Sequence, residues 1–208
     1  MDLQFYGANC LVLSSRNGRV VIDDNLSALG AKSVTKPGDI VLFTSKTTFV
    51  APKVETKLQI THGGEYEVSD ISIIGVPARS HMDEEDKQTA TMYKLFTKDV
   101  SVLVTGHIYP ELNDDQLETI GMIDVLCVPV GGNGYTLDPV GAMKIIKKIE
   151  PKILVLTHYD DSALTYEVPQ QTLEQALSSL SMEPKETISK LKLKDLPEEL
   201  QVVVLEKS

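Results

Sequence analysis

Pro129-Val130-Gly131-Gly132-Asn133-Gly134-Tyr135-Thr136-Leu137-Asp138 links a buried strand to a capped helix, and Thr157-His158-Tyr159 ends the next strand. The strand before the glycine run is read over Ile123–Val130. Asp138-Pro139 is an N-cap followed by proline at the first helical position. From Val140 to Ile149, Met143, Ile145, Ile146 and Ile149 form one apolar face, with Lys144, Lys147 and Lys148 outside it. Pro151 stops the helix and Ile153–Thr157 is a second buried strand. Strand, helix and strand at this spacing predict a parallel pair joined by a right-handed crossover. In open α/β sheets ligand sites form beyond the carboxyl ends of such strands. That puts Gly131, Gly132, Asn133, His158 and Tyr159 at a candidate site.

Upstream of this unit the chain reads as short strands broken by turns. Leu3–Gly7, Cys10–Ser14 and Arg19–Asp23 are apolar runs, and Asn17-Gly18 predicts a tight primed hairpin turn. Ile40–Thr44, Leu58–Thr61, Glu65–Val68, Ile71–Pro77, Thr91–Phe96 and Val100–Val104 follow, with Gly63-Gly64 as a turn. Asp114–Ile120 is a short helix with acidic residues in its first turn. Downstream, Val168–Leu180 reads as a helix and Gln201–Leu205 as a closing strand, while Lys185, Lys190, Lys192 and Lys194 read as a solvated helix or loop face. Strands first and helices later predict an α/β fold. Two mixed β-sheets packed as a sandwich, with helices on the outer faces, suit the low helix density before residue 110 better than one doubly wound sheet.

The 208 residues fit a single domain, 1–208, that can bury roughly 70% of its extended surface without a staple or a metal. With 20 Lys+Arg against 30 Asp+Glu, a net charge of −10 argues against a non-specific nucleic-acid binder. No apolar run is long enough to span a bilayer, and no charged-then-apolar leader opens the chain. Cys10 and Cys127 each sit alone in an apolar stretch, which suggests buried, reduced thiols and a cytoplasmic location.

The order of several segments resembles the metallo-β-lactamase superfamily. The resemblance is to its small bacterial branch of predicted zinc-dependent hydrolases, similar to the ascorbate-phosphate lactonase group. Phe5-Tyr6-Gly7, Val21-Ile22-Asp23, Gly64-Glu65-Tyr66-Glu67-Val68, Asp115–Gly121, the Pro129–Asp138 loop and His158-Tyr159 all fit that pattern, over about residues 2–206. The resemblance implies a four-layer αββα sandwich with a metal site at one edge. It also implies hydrolysis by a hydroxide bound to one or two divalent ions, which needs ligands that leave a position open for water.

At the metal motif the chain departs from the family. Where the resemblance calls for Thr-His-x-His-x-Asp-His after Ile40–Phe43, the sequence is Thr44-Ser45-Lys46-Thr47-Thr48-Phe49-Val50. Hydroxyls are poor zinc ligands beside imidazole, and phenylalanine and valine cannot ligate. The family's next His falls on Ser80, beside His81, its bridging Asp falls on His107, and its final His is kept as His158. The early family "G-H" reads Gly7-Ala8. The expectation is therefore a fold of this family with its dinuclear site dismantled, acting as a non-hydrolytic binding or regulatory protein with no cofactor. Its partner would be an unidentified small molecule or protein.

The alternative is a mononuclear hydrolase of a small ester, lactone or phosphoester, with zinc or another divalent metal on His81, His107 and His158. A structural protein that self-associates is a third class. His158 is a relic ligand or a hydrogen-bonded structural histidine, His107 a ligand or a loop residue, and His81 a ligand or part of a solvated loop beside the acidic run Met82–Asp86. Asp23, Asp24, Ser45, Thr47, Gly131, Gly132, Asn133 and Tyr159 are expected in the pocket or behind it. The glycines could present backbone N–H groups to an anion before a helix N-terminus.

Overall fold

The computed structural model describes residues 1–208. Its first half contains β1 (Asp2–Phe5), β2 (Leu11–Ser14), β3 (Arg19–Ile22), β4 (Ile40–Leu42), β5 (Leu58–Ile60), β6 (Gly64–Val68), β7 (Ile71–Ala78), β8 (Ala90–Phe96) and β9 (Ser101–Val104). Then come α1 (Asp114–Ile120), β10 (Val125–Pro129), α2 (Pro139–Ile149), β11 (Ile153–Thr157), α3 (Leu173–Leu180), β12 (Pro184–Ile188), β13 (Leu191–Lys192) and β14 (Gln201–Leu205).

Two mixed sheets result. The six-stranded sheet runs β13-β1-β2-β3-β4-β5, antiparallel up to β3 and parallel from there. The eight-stranded sheet runs β12-β14-β11-β10-β9-β8-β7-β6, with an antiparallel meander from β6 to β9 and parallel pairing beyond. The period of two along each strand decides what is buried where. Leu11, Leu13, Val20, Ile22, Ile40 and Leu42 face Ile73, Tyr93, Leu95, Val102, Val104, Val125 and Val155 in a core between the sheets. Leu103, Leu126, Val128, Leu154 and Leu156 point the other way. They meet Ile120 of α1, Ala142, Ile145, Ile146 and Ile149 of α2, and Ala176 and Leu180 of α3. Each Val, Leu or Ile among them contributes roughly 1.5–3 kcal/mol on full burial.

This is the α/β sandwich of two mixed sheets that the sequence implied, with the helical cover on the outer face of the eight-stranded sheet. Over the six-stranded sheet, Cys10, Val12 and Val21 are instead covered by Leu26, Leu164 and the half-buried Leu29, Ala31, Val34 and Tyr166 from irregular segments. No helix is long and apolar enough to cross a membrane.

Three local readings change. The hairpin between β2 and β3 forms, but neither Asn17 nor Gly18 has positive φ, so the turn is not a primed one. Ser15 orders it, its hydroxyl accepting from the N–H groups of Asn17 (3.2 Å) and Gly18 (2.9 Å). The last helix starts at Leu173 rather than Val168, because Pro169 lies early in that span and Thr172 with Gln175 makes a capping box. Lys185 and Lys192 lie on strands, not on a helix or loop; β12 is an exposed edge strand, paired on one side to β14.

Candidate functional site

Chain turns at the carboxyl ends of β3, β9, β10 and β11 converge on one edge of the sandwich. Asp23 (φ +51°), Asn133 (φ +55°) and His158 (φ +51°) adopt the left-handed conformation there, which L-residues rarely do and which gathers at functional turns. Asp23 is buried and fixed by Thr44, whose N–H (2.7 Å) and hydroxyl (2.5 Å) both donate to its carboxylate. Burial outweighs those bonds and pushes its pKa up to about 6. Gly106 follows β9 and lies so near Thr44 that a Cβ would collide with that side chain.

Two histidines lie side by side behind these turns. The rings of His107 and His158 are 4.6 Å apart and nearly perpendicular, and Tyr135 stands 5.2 Å from His107 and 6.0 Å from His158. Tyr166 flanks His158 at 5.1 Å. Burial, with the imidazoles of His158 and His81 nearby, holds His107 well below the usual histidine range. Burial also lowers His158 to about 4, against a smaller raising effect from Gln170. Both rings are therefore neutral at pH 7.

Gln170 fixes the tautomer of His158. Its Nε2 donates to the carbonyl of Val168 (2.8 Å), so its Oε1 faces His158 Nδ1 at 3.2 Å. An amide oxygen can only accept, so Nδ1 carries the proton and Nε2 is left as a bare acceptor. Gly131 makes room for this contact, since a Cβ there would strike both Gln170 Oε1 and the carbonyl of His158.

Other residues expected at the site have varied placements. His81 donates its backbone N–H to the carbonyl of His107 (2.8 Å) and packs 6.4 Å from Tyr109. Ser45 and Thr47 hydroxyls bond each other at 2.8 Å. Gly132 donates its N–H to Leu137, and the Asn133 side chain donates to the carbonyl of Pro169, so the loop is held by its own neighbours. Tyr159 places its ring 5.6 Å from Phe5. Asp24 turns to a separate cavity of about 290 Å³, where its Oδ2 accepts from Ser33, Val34 and Thr35.

A cleft of about 200 Å³ opens over His158. Its walls include Asn25, Thr47, Phe49, Tyr135, Tyr166 and Glu167. Of these, Thr47 was among the expected pocket residues. Tyr135 lay inside the glycine loop and could have been found there, whereas Asn25, Tyr166, Glu167 and Gln170 carry no local signal. Four buried polar atoms in this region have no protein partner: Asn9 Nδ2, Asn25 Oδ1, His81 Nδ1 and His107 Nδ1.

The donor set does not fit a dinuclear zinc centre. Phe49, in the stretch where ligands are implied, packs edge-on against Phe43 at 4.8 Å. No three His, Cys, Asp or Glu side chains are arranged to hold a metal ion.

Comparison with known proteins agrees with this geometry at the level of fold. The chain matches the family described as "Beta-lactamase superfamily domain" over residues 2–158. A proposed Zn-dependent hydrolase of the metallo-beta-lactamase superfamily from Thermotoga maritima superimposes with a TM-score of 0.71 at 22% identity, covering 99% of both chains. A proposed metal-dependent hydrolase from Parabacteroides distasonis gives 0.65 at 19% identity, covering 99% of this chain and 93% of that one. The metallo-beta-lactamase fold protein YhfI from Bacillus subtilis gives 0.59 at 10% identity, covering 100% and 97%. No curated protein sequence gives a significant match. Identities this low carry the fold and no activity, while the family match itself spans most of the chain: it belongs to the beta-lactamase superfamily.

Proposed function

We propose that this chain has lost the dinuclear metal site of its superfamily and binds a small molecule, without hydrolysing it, in the cleft over His158. The observation that carries the reading is the stretch Ser45–Val50. The Ser45 and Thr47 hydroxyls are bonded to each other, the Thr48 hydroxyl donates to the Ser45 carbonyl, and the Phe49 ring is packed on Phe43 and forms part of the cleft wall. Hydrocarbon there offers no ligand atom to a metal ion and favours an organic occupant. Asn25, which lines the cleft and has an unpartnered buried Oδ1, supports the same reading, since a buried polar group without a partner costs about 1–3 kcal/mol that a bound molecule or water would offset.

The test is zinc content and turnover in untagged protein, after incubation with excess zinc and desalting. Well under one zinc per chain is expected, together with no hydrolysis of esters, lactones or phosphoesters. Stoichiometric zinc that is lost on His107→Ala and His158→Ala, with turnover, would overturn the proposal. It would favour a mononuclear hydrolase with His81, His107 and His158 as ligands.

A further inference from the structure

The cleft over His158 is one-sided in charge. Asn25 Oδ1 is a buried acceptor with no partner. His158 presents Nε2 as a second acceptor, because Gln170 holds the proton on Nδ1. Glu167 stands exposed in the wall and is the one charged side chain that lines the cleft; no lysine or arginine does. Three aromatic rings, Phe49, Tyr135 and Tyr166, also line the cleft. The Tyr166 hydroxyl is spent on the carbonyl of Tyr159 at 3.1 Å, so this residue offers its ring rather than a donor.

We infer that the cleft takes a compact organic cation: a protonated amine carried on an apolar or aromatic body. This inference rests on the binding reading above and specifies its ligand class. An ammonium group has three donors and no acceptor, the complement of an amide oxygen, an imidazole nitrogen and a carboxylate. Aromatic rings attract a cation through their quadrupole and also accept the hydrocarbon body. The protein's net charge of −10 raises the local concentration of cations and lowers that of anions. An anionic ligand meets the opposite conditions. It would have no cationic partner in the cleft, would face Glu167, and would leave Asn25 Oδ1 unpaired.

Three isosteres separate the cases: benzylamine, benzyl alcohol and benzoate, titrated calorimetrically into the untagged protein of known zinc content. Benzylamine is expected to bind about tenfold or more tighter than benzoate, with benzyl alcohol between them. Glu167→Gln, an exposed substitution that leaves the fold intact, should weaken benzylamine by roughly threefold and benzyl alcohol hardly at all. Asn25→Leu removes the buried acceptor and should weaken both donors. Benzoate binding as tightly as benzylamine, or benzylamine affinity unchanged in both variants, would overturn the inference. One zinc per chain would defeat the underlying binding reading, whereas metal-poor protein that binds none of the three defeats this inference alone.

Discussion

His107 and His158 are buried imidazoles, the first with His158 and His81 as its ionic neighbours, while Asp23 is a buried carboxylate held by neutral donors. These opposed shifts set how the fold responds to acid. The pKa of His158 falls from 6.5 to about 4 and that of His107 also falls, so the unfolded chain binds more protons below about pH 6.5 and acid favours unfolding. Asp23 rises from 3.8 to about 6, so between those values the folded chain holds the extra proton and acid favours folding. Two histidines outweigh one aspartate, and stability should drop between pH 7 and pH 5. Asp23→Asn removes the opposing contribution and should lose about 1 kcal/mol more over the same interval. Urea midpoints at the two pH values measure both; a wild-type midpoint that stays level or rises on acidification would contradict these burial effects.

The clearest sequence signals were those of α2. Asp138 accepts from the N–H of Gly141 at 2.7 Å and Pro139 occupies the first turn, as the sequence predicted. Asp138→Ala should therefore lower stability by about 1 kcal/mol, visible as a shifted denaturation midpoint with unchanged slope. β10 and β11 were equally legible, because each is an unbroken apolar run. β12 was not. Four of its five residues are exposed, so Pro184–Ile188 has no hydrophobic alternation and is held as a strand by backbone pairing with β14. The cleft divides in the same way. His107 and His158 could be read from strand ends and from the family resemblance. Gln170 could not, because its role depends on a contact with His158 across a twelve-residue separation and on the space that Gly131 leaves. The metal motif was legible as a departure, but its physical replacement, Phe49 packed on Phe43, required the fold.

Over the whole molecule the two faces of the sandwich are finished differently. Three helices seal the eight-stranded sheet, whereas segments 24–35 and 161–166 cover its partner. A single carboxylate oxygen, Asp24 Oδ2, collects four donors from Ser33, Val34 and Thr35 and thereby pins the first segment. The second is tied to the first by the Thr165 N–H donating to Leu29 at 2.9 Å. Few ladder hydrogen bonds mean a low free energy of local opening. Amide hydrogen exchange should thus be fast in 24–35 and 161–166 and slow in β10 and β11; equal protection, followed by mass spectrometry, would count against this ordering. Asn25, Ala28 and Leu29 from one segment, with Thr165 and Tyr166 from the other, also line the cleft over His158. The cleft thus has a still floor and a breathing wall. On the proposed binding reading, an occupant would be admitted and released while both sheets stay closed, and its capture should register as slowed exchange in the wall.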